Sequence, residues 1–157
     1  MHNRSDYVQL DGANNALLVA ALRQHFNGQA WENVVGNQEL VLAPSAARTA
    51  TLVLPDQTNV TWRGLVVWLN ITAASGTGGL TCRVEGKDPA GGGYFALHAA
   101  PAAVVATGLQ THVLYPGVTG DAVSQPTQIV LPRTWRVRVV HGDATSYTYS
   151  VGASLMV

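Results

Sequence analysis

From Leu131 to Val157 the side chains alternate in character with a period of two, and no other feature constrains the fold as strongly. Trp135, Val137 and Val139 fall on one parity, with Thr134, Arg136 and Arg138 on the other. After His141-Gly142-Asp143-Ala144-Thr145-Ser146 the alternation resumes. Tyr147, Tyr149, Val151, Ala153, Leu155 and Val157 share one parity; Thr148, Ser150, Gly152, Ser154 and Met156 share the other. Successive side chains of a strand point to opposite faces of its sheet, so each run reads as a half-buried strand. Gly142-Asp143 tolerates turn geometry, and the two runs are expected to pair as a β-hairpin.

The same grammar runs back to about Glu39. Thr49–Leu54 ends at Pro55-Asp56, and Leu80–Glu85, Tyr94–His98, Leu109–Tyr115 and Thr127–Leu131 are further short strands. Val60–Thr72 is the longest, and both of its faces are apolar, so it is either covered on both sides or central to a subunit contact. Turn signals recur every ten residues or so, the spacing of a sandwich or jelly roll. The expected fold is all-β: an antiparallel, jelly-roll-like β-sandwich over residues 38–157. Residues 1–37 read as a separate N-terminal arm. Within it, propensity favours a short helix over Ala16–Phe26, capped by Asn14 or Asn15 and ended by Asn27-Gly28, with a strand or an arm that orders only on a partner as the alternatives.

Only 11% of the residues are charged, against about 25% in an average soluble domain. Lys87 is the one lysine beside eight arginines. A surface this poor in charge is expected to be covered by neighbours, and arginine is the basic residue enriched at interfaces. Codon bias in a high-GC genome accounts for the arginines equally well. The formal net charge is zero, which offers nothing to nucleic acid or an anionic membrane. The N-terminus lacks the pattern of a signal peptide, and Ala16–Leu22 is too short to cross a bilayer.

Catalytic and metal motifs are missing. Cys82, the single cysteine, stands in the run Leu80-Cys82-Val84 and reads as a small core hydrophobe. His98, His112 and His141 lie on different segments without metal-ligand spacing, and each reads as a surface or strand-end histidine. Glu85-Gly86-Lys87-Asp88 offers too few ligands for calcium and reads as a solvated hairpin turn. Neither Gly76-Thr77-Gly78-Gly79 nor Gly91-Gly92-Gly93 leads into a helix, so neither is a phosphate cradle. No enzymatic activity and no cofactor are expected.

A series of phrases in the β region carries a resemblance. In order they are Gly64-Leu65-Val66-Val67, Asn70-Ile71-Thr72-Ala73-Ala74-Ser75-Gly76-Thr77 and Val84-Glu85-Gly86-Lys87-Asp88-Pro89. Tyr115-Pro116-Gly117-Val118, Leu131-Pro132-Arg133-Thr134-Trp135-Arg136-Val137 and Tyr149-Ser150-Val151-Gly152-Ala153-Ser154-Leu155 follow. Over about residues 40–157 the chain resembles a group of small structural proteins of tailed bacteriophages, often placed among head genes. The resemblance implies a capsid decoration protein on the outer head surface of the virion, made in the host cytoplasm. Its partners would be the major capsid protein and itself, as a homo-oligomer expected to be a trimer. It implies no catalytic residues.

The candidate contact residues are apolar or arginine. Leu17, Leu18, Leu22, Phe26 and Trp31 of the arm are expected to dock, on a neighbour or on the arm's own sandwich. Trp62 and Trp68, six apart on one expected strand, would share a face and could anchor in a partner protein or stack on sugar rings. A carbohydrate-binding module or a tail or neck appendage that grips glycan is therefore the alternative. Arg63, Arg136 and Arg138 lie opposite apolar positions, where they suit a partner's carboxylates or cross-strand pairing with Glu85.

Overall fold

A computed structural model describes residues 36–119 and 125–157, together with four short strands nearer the N-terminus. The chain divides into two compact units, Met1–Val35 and Gly36–Val157. In the first, β1 (Val8–Leu10) pairs with β2 (Leu17–Val19), and β3 (Gln24–Phe26) pairs with β4 (Trp31–Asn33), each antiparallel. The helix expected over Ala16–Phe26 is corrected here: its described residues, Leu17–Val19 and Gln24–Phe26, are strands. A short apolar run without a helical stripe does not distinguish the two states. Asn27-Gly28, read above as a helix end, is equally a strong hairpin signal, and it stands between the paired β3 and β4.

The second unit is a β-sandwich. Its strands are β5 (Gln38–Arg48), β6 (Leu52–Val53), β7 (Gln57–Thr58), β8 (Gly64–Ala74), β9 (Leu80–Lys87), β10 (Tyr94–Ala99), β11 (Gly108–Leu114), β12 (Pro126–Thr127), β13 (Thr134–His141) and β14 (Tyr147–Met156). One sheet has the order β12-β11-β8-β14-β5, and the other β10-β9-β13-β6, with β7 also pairing β13. Every pairing is antiparallel except β11 with β12. With β6 and β7 taken as one interrupted strand and the short β12 set aside, eight strands remain. The two orders are then first-eighth-third-sixth and second-seventh-fourth-fifth, the double Greek key of a jelly roll.

The core fills the space between the inner faces. β8 contributes Leu65, Val67, Leu69 and Ile71, β9 Leu80, Cys82 and Val84, and β13 Trp135, Val137 and Val139. From β14 come Tyr147, Tyr149, Val151, Ala153 and Leu155. Each large side chain removed from water stabilises the fold by roughly 1.5–3 kcal/mol. Burial pushes the Cys82 thiol up to about 12, so it remains a neutral packing group.

The expected hairpin between the last two strands does not form. β13 pairs with β9 in one sheet and β14 with β8 and β5 in the other, so the segment between them arches across the sandwich. A second arch, Ser75–Gly79, joins β8 to β9, and the two arches are bound together. Gly142 N–H donates to Gly79 O at 2.9 Å, Ser75 N–H donates to Ser146 O at 3.1 Å, and Ser146 N–H to Ser75 Oγ at 3.1 Å. The buried Tyr147 hydroxyl donates to Gly76 O at 3.0 Å and accepts from Gly79 N–H at 2.9 Å. In the arch between β13 and β14, Asp143 accepts from both the backbone N–H and the hydroxyl of Thr145.

Candidate interaction surfaces

Cross-strand register defines the outer face of the sheet that contains β8. One row runs Thr111, Trp68, Gly152, Val41; the next runs Val113, Val66, Ser154, Glu39; a third runs Leu109, Asn70, Ser150. Glu39, at the edge strand, is the only charged residue in these rows. Val41 is 83% exposed and Leu109 60%. Trp68 lies beside Gly152, where a Cβ would stand 3.7 Å from the indole, at ordinary van der Waals contact. Below these rows an open groove of about 470 Å³ is lined by Val113, Tyr115, Pro116, Val118, Met156 and Asn37, among others. Outer sheet faces in water are ordinarily polar; this one carries Trp68, exposed Val41 and Leu109, and a single charge in its rows, Glu39 at the edge.

Trp62 does not join Trp68 on this face. The long strand begins at Gly64 rather than Val60, because Asn59 holds residues 59–62 in a turn. The Asn59 carboxamide accepts from Trp62 N–H at 3.0 Å and donates to Trp62 O at 2.8 Å and to Leu131 O at 2.9 Å. Trp62 is half-buried against the core, and its indole N–H donates to Gly36 O at 3.4 Å. The shared strand face expected for the two tryptophans is thereby corrected. Arg63 stands 5.9 Å from the Tyr115 ring centroid. The side chains of Leu17, Leu18, Phe26 and Trp31 lie outside the described residues, and Leu22 lies outside them entirely.

The opposite sheet carries charge on its outer face. Arg136 is directly across from Glu85, and its Nε–H donates to Glu85 Oε2 at 2.7 Å; its guanidinium stacks 3.2 Å from the Tyr94 ring centroid. Tyr94 O–H donates to Asp56 at 2.7 Å, and Lys87 Nζ pairs with Asp56 at 2.8 Å. The Lys87 ammonium and the Tyr94 hydroxyl hold the Asp56 carboxyl below the usual carboxylate range. Glu85 is buried within β9, not in a solvated turn; the turn is Asp88–Gly93. Arg138 Nη1 comes only within 3.7 Å of Glu85 Oε1. Arg83, directly opposite Arg138, was not singled out from sequence, although the inward parity of Leu80, Cys82 and Val84 places it on this face.

Between the sheets His98 and His112 are buried together, which corrects their reading as surface or strand-end residues. His98 Nε2 lies 3.0 Å from His112 Nδ1, and His98 Nδ1 lies 2.7 Å from Thr127 Oγ1. Among the described residues His112 Nε2 has no hydrogen-bond partner. The arrangement that leaves no N–H unpaired has His112 Nδ1–H donating to His98 and His98 Nδ1–H donating to Thr127. Burial, reinforced by its neighbour, pushes His112 down to about 4, and burial lowers His98 as well. His141 stands apart, against the rings of Tyr147 and Tyr149. Among the described residues no group of three or more His, Cys, Asp or Glu side chains could hold a metal ion. Comparison of the chain with protein-family models, with curated proteins and with solved structures gives no match.

Proposed function

We propose that this chain is a virion structural protein of a tailed bacteriophage, a capsid decoration protein that binds the outer surface of the assembled head. The single observation that carries this reading is the outer face with Val41, Val66, Trp68, Leu109 and Val113 across rows whose one charge, Glu39, stands at the edge. The phrase-by-phrase resemblance over residues 40–157 supports it. In this reading that outer face seats on the major capsid protein and copies associate as trimers, so each bridges neighbouring subunits. Opening the shell then requires many contacts to break in parallel, and each bound copy favours the assembled state by mass action. The work is binding rather than catalysis.

Purified protein mixed with empty shells tests the proposal, with Val41→Glu as the comparison. Wild-type protein should co-sediment with the shells in hundreds of copies and Val41→Glu should not, while both melt at the same temperature. Equal binding by the variant, or a few copies per particle, would remove the reading.

A further inference from the structure

On the charged face, one cross-strand row passes through four strands: Ala99 on β10, Arg83 on β9, Arg138 on β13 and Val53 on β6. Its two central residues carry like charge and stand directly opposite each other, an arrangement that destabilises a sheet when nothing answers it. The fold answers the other charges nearby. Glu85 is bonded to Arg136, Asp56 to Lys87 and Tyr94, and Asp88 accepts the backbone N–H groups of Ala90 and Gly91. Arg48 donates to the carbonyls of Pro44, Ala46 and Tyr149. Arg83 makes no ion pair or hydrogen bond among the described residues, and Nε of both Arg83 and Arg138 is buried without a partner. Glu85 gives its short bond, 2.7 Å, to Arg136 and meets Arg138 only at 3.7 Å, so the one carboxylate beside the row leaves Arg83 unanswered and Arg138 weakly paired.

We propose that Arg83 and Arg138 form a binding site for a carboxylate presented by an Asp or Glu side chain of a partner protein. Two guanidinium groups held by adjacent strands can each donate in parallel to one oxyanion, the geometry that favours arginine over lysine. The flanks of the row indicate a protein as the source. Ala99 is exposed and Val53 is 47% exposed, so the paired charges sit between small apolar side chains on an open sheet face. Exposed apolar side chains beside an arginine pair suit a protein surface rather than a free ion, since arginine is the basic residue enriched at protein interfaces. The site lies on the sheet opposite the Trp68 face and stands independently of the shell-binding reading.

Acetate, the smallest probe with this chemistry, tests the site in the intact chain. Thermal melting is followed against sodium acetate, with sodium chloride at matched ionic strength and sodium sulfate as separate arms. Saturable stabilisation by acetate is expected, about 4 °C at roughly ten times its Kd. Selectively labelled arginine Nε–H resonances of Arg83 and Arg138 should move together while that of Arg63 stays fixed. Arg83→Gln should abolish the response, yet melt no lower than wild type in acetate-free buffer, because it relieves the opposed charges. Arg83→Lys should keep the charge and lose most of the response. An equal effect of chloride, a response to sulfate alone, or an acetate response surviving in Arg83→Gln each overturns the proposal. The Val41→Glu shell assay does not depend on this site, so the two readings fail separately.

Discussion

His98 and His112 meet across the two sheets, Nε2 to Nδ1 at 3.0 Å, in a setting that disfavours charge on either ring. The folded state therefore binds fewer protons than the unfolded chain between the ordinary histidine range and about pH 4. Stability from this pair is fully present above about pH 6.5 and is lost as pH falls towards 4; His112 alone accounts for about 3 kcal/mol. Urea melts at pH 7, 5.5 and 4.5 should show this slope, and His112→Leu should flatten it. The lowered carboxyls of Asp56 and Asp143 act in a separate window, below about pH 4. An unchanged slope in His112→Leu would show that other groups carry it.

Tyr147→Phe should cost about 1–3 kcal/mol without altering the fold. The change leaves the Gly79 N–H and the Gly76 carbonyl without the hydroxyl that now serves both. Amide exchange at Gly79 should quicken more than at Val137, in the core of the other sheet. A variant as stable as wild type would mean that water replaces the hydroxyl at no cost.

At Gly142 a Cβ would fall inside van der Waals contact with the Gly78 carbonyl, on the facing arch. Backbone, not a flexible side chain, occupies that space. Gly142→Ala is therefore expected to destabilise by about 1–3 kcal/mol, as overpacking does. Gly92→Ala meets no atoms within 4 Å, but its φ of 69° makes it a control for backbone strain alone. Denaturant midpoints of the two variants separate crowding from strain.

Glu85→Ala should be among the more damaging changes on the charged face, at about 3–5 kcal/mol. It removes the partner of Arg136 and the carboxylate nearest Arg138, and leaves both guanidinium groups without an acid in a half-buried patch. Added salt should recover part of the loss by screening. The double variant Glu85→Ala/Arg136→Met should recover more, because it removes an unpaired charge instead of masking it.

Parity made the faces of this fold legible. Trp135, Val137 and Val139, and the run Tyr147 to Leu155, point inward as their alternation requires. Pairing was less legible, since a period of two says which side chains share a face but not which sheet receives the strand. The two C-terminal runs consequently looked like a hairpin and are in fact an arch. His98 escaped for a local reason: a register shift between Ala96 and His98 interrupts β10. Continued alternation from Tyr94 and Ala96 would have kept His98 on the outer face; the bulge turns it into the core. At Trp62 the Asn59 turn shortened a strand that hydrophobicity alone had extended. The apolar outer face of β8 was readable from Val66 and Trp68, whereas its neighbours Val41 and Gly152 emerged only from register.

The position of β14, hydrogen-bonded to β8 on one side and β5 on the other, has a consequence for biosynthesis. A ribosome delivers this chain from the N-terminus, so β5 and β8 emerge long before the strand that must lie between them. Until residues 147–156 arrive, both keep open edges, the form of nascent chain most exposed to aggregation. The rows that make up the Trp68 face are likewise incomplete, because Gly152, Ser154 and Ser150 are missing from them. A product that lacks residues 147–156 thus has no finished face to offer, and the last of these strands to be made is the one that closes the sheet.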